Sequence, residues 1–161
     1  DIAFFVGTPR ANATCQVGQC PGFTRAETPV NYLNSSNYLN ITDAAPRTFF
    51  LWMNITDAVA ATNQEFFTVG TTASCGKVEL FIHVSDSLIK VNPGGGACTL
   101  LNSGITPSEG FQSVAFTYDG ATSRIYINGT LRALATQTYT TATGPIIVGA
   151  GVQGTFVHEY D

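Results

Sequence analysis

Apolar residues in this chain recur with a period of two, and that pattern limits what it can fold into more than any other feature. No stretch holds apolar residues at i, i+3, i+4 and i+7 for three turns, so helix is predicted nowhere. Strand patterns follow one another instead. Arg47 to Met53 places Phe49, Leu51 and Met53 on one face and Phe50 and Trp52 on the other, which predicts a central strand buried on both sides. Lys77 to Val84 alternates more cleanly, with Val78, Leu80, Ile82 and Val84 facing inward. Gln112 to Tyr118 directs Val114, Phe116 and Tyr118 to one face, and Ser123 to Asn128 does the same with Ile125 and Ile127. Asp119-Gly120-Ala121-Thr122 joins those two strands as a hairpin, and Asn128-Gly129 is the dipeptide favoured in type I′ turns, so Thr130 to Thr136 should fold back as the next strand. Further strands are predicted at Gln64 to Val69, Ser87 to Val91, Ile146 to Gly149 and Gly154 to Tyr160.

Many short strands with turns at regular intervals predict an all-β, antiparallel two-sheet sandwich. The 161 residues suit one domain able to bury its own core. Residues 29–161 read as the sandwich, 7–28 as a linker-like segment holding a cysteine pair and two prolines, and 1–6 as a separate strand. Asn92 to Ala97 contains a Pro-Gly-Gly-Gly loop without the strand-to-helix step that a phosphate-binding loop needs.

Charged residues make up only 11% of the chain, and the net charge is −4. The basic residues Arg10, Arg25, Arg47, Lys77, Lys90, Arg124 and Arg132 form no cluster, which argues against a nucleic-acid partner. No apolar run approaches the roughly 20 residues of a membrane helix, so membrane insertion is not expected. With no charged-then-apolar leader at Asp1, the chain reads as a mature protein or an excised fragment.

Four cysteines permit three fully oxidised pairings. The favoured one joins Cys15 to Cys20 around a short Gln-Val-Gly-Gln loop and Cys75 to Cys98 across a strand pair; two close pairs of matched spacing, as zinc would require, are lacking. Glycosylation sequons occur at Asn12, Asn34, Asn40, Asn54 and Asn128, where a Ser- and Thr-rich chain with this asparagine content would hold about two by chance. All five fall at predicted turns or strand ends, where a glycan is sterically feasible. Sequons and an even cysteine count together predict a secreted, extracellular glycoprotein.

Val114-Ala-Phe-Thr-Tyr-Asp-Gly120 followed by Ser123-Arg-Ile-Tyr-Ile-Asn-Gly129 resembles the paired strands of laminin-G-like domains in the concanavalin A-like lectin/glucanase group. Residues 31–41 and 47–53 are similar to the family's first two core strands, and 146–149 and 154–161 to its closing region. The resemblance implies a jelly-roll sandwich. In this family the closing region continues into a strand of the form Asp-Asp-apolar-x-apolar-aromatic, and here that form stands at the start of the chain, in Asp1, Ile2, Ala3, Phe4, Phe5 and Val6. Four readings stay open: circular permutation, one unit of a tandem array, a strand donated to a neighbouring copy, or an ordinary first strand folded into its own domain. A sandwich short of one strand exposes unpaired backbone groups, and a strand supplied by the next copy would satisfy them and link copies head to tail into a filament.

Chemistry is sparse. Glu159 and Asp161 share a strand face and could form the carboxylate pair of a glycosidase, yet the further acidic residue of that signature is lacking. His83 and His158 stand in no triad-like pattern. The resemblance leaves calcium open, with Asp43, Asp57, Asp86 and Asp119 near predicted loops. Trp52, Phe49, Phe50, Phe66 and Phe67 are expected in the core, and Tyr32, Tyr38 and Tyr139 in exposed loops as weak lectin candidates. The expectation is a non-enzymatic structural or adhesive glycoprotein that partners other copies of itself and carries N-linked glycans; the alternative is a carbohydrate-binding, lectin-like module, calcium-dependent or not.

Overall fold

In a computed structural model, side chains are described for residues 32–35, 41–55, 63–71, 73–94 and 98–149, and backbone strands also at 3–6, 10–12, 20–22, 150–153 and 156–159. The strands are β1 (Ala3–Val6), β2 (Arg10–Asn12), β3 (Cys20–Gly22), β4 (Tyr32–Ser35), β5 (Arg47–Ile55), β6 (Gln64–Gly70), β7 (Lys77–Ile82) and β8 (Ile89–Asn92). They continue with β9 (Leu101–Asn102), β10 (Gly110–Tyr118), β11 (Thr122–Ile127), β12 (Thr130–Thr136), β13 (Ile146–Val148), β14 (Ala150–Gln153) and β15 (Phe156–Glu159). A seven-stranded sheet runs β1-β4-β13-β6-β7-β8-β9 and faces a four-stranded sheet, β12-β11-β10-β5, and β14-β15 and β2-β3 form two-stranded ladders of their own. All registers are antiparallel, giving the predicted jelly-roll sandwich.

Alternation puts one face of each sheet into a shared core. Val69, Val78, Leu80, Ile82, Ile89, Val91 and Leu101 come from the larger sheet and Val114, Phe116, Tyr118, Ile125 and Ile127 from the smaller. Phe49 of β5 crosses the interface, 4.8 Å from Phe67 and 6.3 Å from Phe116 between ring centroids. Each such fully buried side chain contributes about 1.5–3 kcal/mol. The β11–β12 hairpin closes as its dipeptide requires, with Asn128 at φ +49° and Gly129 at φ +75°, the left-handed pair of a type I′ turn.

One end of the core is sealed by a buried cation. The Arg47 guanidinium lies over the rings of Tyr118 and Tyr139, 5.4 and 5.2 Å from their centroids. It donates from Nη1 to Thr141 Oγ1 (2.7 Å), from Nε to the Ala45 carbonyl (2.9 Å) and from Nη2 to the Asp43 carbonyl. Burial pulls its pKa below the usual arginine range, against the opposing pull of Tyr139, Tyr118 and Asp43. Cys75 and Cys98 form the expected disulfide, with Cα atoms 5.4 Å apart; Cys15 lies outside the described residues, so the Cys15–Cys20 pairing does too.

Several expectations change. Strand Ala3–Val6, for which donation to a neighbour is one of four readings open in the sequence, pairs here with Tyr32–Ser35 of its own chain, Phe4 opposite Asn34 and Phe5 opposite Leu33. A strand on the same chain meets that edge at a high effective concentration, because the cost of closing a loop grows only slowly with its length. Asp1 and Ile2 lie outside the described residues. The segment 7–28, read as irregular, contains the paired strands β2 and β3. Strand β5, read as central, pairs only with β10 and forms one edge of its sheet.

Phe116→Ala removes the ring at the centre of the core and should cost about 3–5 kcal/mol of unfolding free energy in urea denaturation; a loss under about 1 kcal/mol would place the core elsewhere. Replacing both Cys75 and Cys98 with Ser frees a loop with a sequence separation of 23 and should cost about 3 kcal/mol by the same measurement.

Candidate functional site

The second face of each sheet is treated differently. On the seven-stranded sheet the outward residues Thr68, Lys77, Glu79, Phe81 and Lys90 are buried: Lys77 donates to Glu79 Oε2 at 2.7 Å, Asn92 Nδ2 donates to the same oxygen at 2.8 Å, and Thr68 stands opposite Glu79 in the ladder. On the four-stranded sheet the outward residues are open. Along β5 the even positions Thr48, Phe50, Trp52 and Asn54 face out while Phe49, Leu51 and Met53 pack inward. Phe50 and Trp52 are 57% and 59% exposed, their rings edge to face at 6.3 Å. Sequence periodicity placed both in the core. An apolar second face shows in the pattern, but whether another layer covers it does not.

Register extends this surface across the sheet. Phe50 stands opposite Ala115, Ala115 opposite Tyr126 and Tyr126 opposite Leu131, one row over all four strands. The next row toward the hairpin turn runs Trp52, Ser113 and Asn128: Ser113 is the ladder partner of Trp52, and the Asn128 amide donates to its carbonyl at 2.8 Å. On the other side Thr48, Thr117, Arg124 and Leu134 align, Leu134 being 60% and Leu131 44% exposed. A contiguous apolar surface bordered by hydroxyls, amides and one guanidinium marks an interaction site rather than ordinary scatter.

The charge on this face is fixed. Arg124 Nη1 donates to Asp119 Oδ2 at 2.8 Å, while Asp119 Oδ1 accepts from the amides of Thr122 (2.7 Å) and Ala121 (3.0 Å). The Thr122 amide, then Arg124 and the Ala121 amide, pull the Asp119 carboxyl down to about 2.

The acids expected near calcium are not brought together. Asp43 bridges to Thr141, Asp119 is held as described, and Asp57 lies outside the described residues. Asp86 Oδ2 accepts from Lys90 Nζ at 2.6 Å, and Lys90, followed by the Leu88 amide and His83, holds its carboxyl below the usual range. No three of His, Cys, Asp and Glu converge among the described residues. His83, expected within a strand, lies just past β7, its Nδ1 2.8 Å from Ser85 Oγ and 3.1 Å from Lys90 Nζ. His158 and Glu159 belong to β15, of which only the backbone is described, and Asp161 lies outside the described residues.

Tyr139, expected exposed, is 1% accessible: its hydroxyl accepts from Gln137 Nε2 at 2.8 Å, and its ring stands 4.8 Å from that of Tyr118. A loop position gave no sign that the ring folds back over the end of the core. Tyr32 is half-buried in β4, and Tyr38 lies outside the described residues. Of the sequons, Asn128 sits exposed on its turn, its Oδ1 accepting from the Ser113 amide at 2.9 Å, and Asn54 stands half-buried near the end of β5. Asn34, expected at a turn or strand end, is flanked within β4 by Phe4 and Ile147. Asn12 is on β2, and Asn40 lies outside the described residues.

A family model described as "Concanavalin A-like lectin/glucanases superfamily", of laminin-G type, matches residues 27–158. Among solved structures, domain 4 of AbnA, a GH43 extracellular arabinanase from Geobacillus stearothermophilus in complex with arabinotriose, superposes with a TM-score of 0.67 at 13% identity, over 96% of this chain and 72% of that one. The β-glucanase of Bacillus licheniformis gives 0.51 at 17% identity over 86% and 69% of the two chains. A prokaryotic β-1,3-1,4-glucanase (lichenase) from a mouse hindgut metagenome gives 0.52 at 12% over 78% and 61%. At these identities the likeness is one of fold. No curated protein matches the chain.

Asp119→Asn keeps the turn acceptors and removes the charge facing Arg124. A carboxylate held near 2 when folded, against about 3.9 unfolded, stabilises above about pH 4 and loses that contribution as pH falls toward 2. Wild type should therefore be more stable than the variant at neutral pH, with the gap closing between about pH 4 and 2; a gap in thermal midpoint that persists at pH 2 would refute the assignment.

Proposed function

We propose, from the premise that this chain belongs to the concanavalin A-like lectin/glucanases superfamily, that it is an extracellular carbohydrate-binding module that binds without cleaving. The observation that carries this reading is the open row of rings on the four-stranded sheet, where Phe50 and Trp52 lie exposed beside Tyr126, Ser113 and Arg124. A sugar ring offers an apolar C–H face and a polar rim. Exposed aromatic faces take the first, and hydroxyls, amides and a guanidinium take the second. The face carries little net charge, since Arg124 is neutralised by Asp119, which suits a neutral glycan. The arabinotriose complex of a structure with the same fold supports the reading, and the Cys75–Cys98 disulfide supports an oxidising, extracellular setting.

Trp52 is the chain's single tryptophan, so its fluorescence reports this surface alone. Titration of unglycosylated protein with neutral oligosaccharides such as arabino- and gluco-oligosaccharides should shift the emission, Phe50→Ala should weaken binding by about tenfold or more, and no reducing ends should appear. Unchanged emission across a panel of neutral glycans would exclude the reading.

A second reading, a repeating unit of a surface assembly, is favoured by one feature: β1 lies at the sheet edge and is held by a four-residue ladder to β4 alone. Such a strand is exchangeable between copies. Sedimentation should then detect oligomers that Phe4→Asp abolishes while each unit stays folded; a monodisperse monomer at every concentration would rule this out.

A further inference from the structure

Four of the five sequons share a feature unrelated to the acceptor pattern itself. Tyr32-x-Asn34, Tyr38-x-Asn40, Trp52-x-Asn54 and Tyr126-x-Asn128 each place an aromatic residue two positions before the asparagine. Aromatics are 11% of the chain, so about one of five sequons at most would show this by chance. In a strand, positions i−2 and i share a face and stand about 7 Å apart. Within a strand, as at Asn54, residue i−2 is therefore the ring over which the first sugar on residue i can lie; Asn128 sits on the turn at φ +49° and is placed instead by its pairing with Ser113.

Two of these pairs meet on one surface. Trp52 and Asn54 face outward on β5, and Asn54 stands opposite Phe111 of β10, so an aromatic residue lies on two sides of that amide. Tyr126 is on β11, with Asn128 just beyond it on the turn. Asn128 completes the row Trp52–Ser113–Asn128, two strand spacings or about 10 Å from the Trp52 backbone. Its Oδ1 accepts from the Ser113 amide, which anchors the side chain of this exposed residue. The two sequons thus flank the 59%-exposed indole. The other two pairs contribute nothing to this surface: Asn34 is half-buried in the opposite sheet, and Asn40 lies outside the described residues.

We infer that the aromatic face is occupied in cis by the chain's own N-glycans at Asn54 and Asn128, whose first sugars stack on Trp52 and Tyr126, and that glycosylation thereby controls whether the face is free for an external glycan. This rests on the reading of that face as a sugar-binding surface. It names the sugar that gets there first, because an attached glycan acts at an effective concentration that no dilute ligand matches. It also accounts for large exposed apolar side chains on a protein with few charges, since the attached sugars cover them.

The test uses protein secreted from a glycosylating eukaryotic host, compared with Asn54→Gln/Asn128→Gln from the same host and with enzymatically deglycosylated wild type. Glycopeptide mass spectrometry should find both asparagines occupied. Trp52 emission in the glycosylated wild type should be blue-shifted and less quenched by acrylamide than in either comparison protein, and free oligosaccharide should shift emission only in those two. Absence of glycan at both sites, or equal quenching with glycans present, overturns the inference. If quenching is equal and free oligosaccharide still binds the double variant, the sugar-binding reading survives and occupation in cis alone fails; if the double variant also binds nothing, both fail. Shielding by attached glycans with no binding of free sugar upholds occupation in cis and removes the external ligand. Tyr126→Ala should lose the part of the shielding owed to Asn128, and Tyr126→Phe should restore it, as stacking requires and a merely structural role would not.

Discussion

A strand has two faces, and the core between two sheets takes only one of each. Burial of Phe116, Leu80, Ile82, Ile89 and Ile125 between the sheets supplies the stability that the rest of the molecule draws on. That burial also decides the register of the strands that contribute to the core, because a one-residue slip would turn each apolar set outward. What remains open is the fate of the second faces, and the molecule resolves it in two ways. On the outer face of the large sheet Lys77, Glu79 and Lys90 are buried, Lys77 paired with Glu79 and Lys90 with the partly exposed Asp86. The small sheet leaves its outer face bare and aromatic.

Local patterns explain how much could be read in advance. Strands β5, β7, β10 and β11 follow from alternation, and β12 from the Asn128-Gly129 turn, because turn chemistry and period act within a few residues; β6, β8, β13 and β15 also fall where further strands are expected. Facts that depend on a third body could not be read this way. Phe50 and Trp52 look like core until their side chains are found more than half exposed. Tyr139 looks like loop until Arg47, Gln137 and Ser123 are found beneath it. Asp1 to Val6 carries the pattern of an edge-completing strand, yet the pattern holds equally for the chain's own edge and a neighbour's, and only the pairing with Tyr32–Ser35 distinguishes them. The candidate surface was accordingly visible as residues but not as a site.

Charge is used sparingly, and Arg47, Lys77, Glu79 and Lys90 are buried. Arg47, Lys77, Lys90 and Arg124, four of the seven basic residues, are tied to rings, carboxylates or carbonyls. Arg47 stands out, since rings rather than a carboxylate salt bridge accommodate it, a solution open to a guanidinium but poorly to an ammonium. On the outer surface of the small sheet the Arg124 charge is met by Asp119, Arg132 of β12 is exposed, and Phe50, Trp52, Ser113 and Tyr126 leave most of the rows to uncharged contacts.

The Cys75–Cys98 bond has a mechanical consequence. It bridges a sequence separation of 23, so about 80 Å of contour length is short-circuited. If the chain were pulled from its two ends, β7 and β8 would stay looped behind the covalent bond while the strands outside it peeled away. Tension would therefore reach a shorter, stiffer polymer in an oxidising medium than in a reducing one, and the yield length of any material containing this module would depend on the redox state of its surroundings.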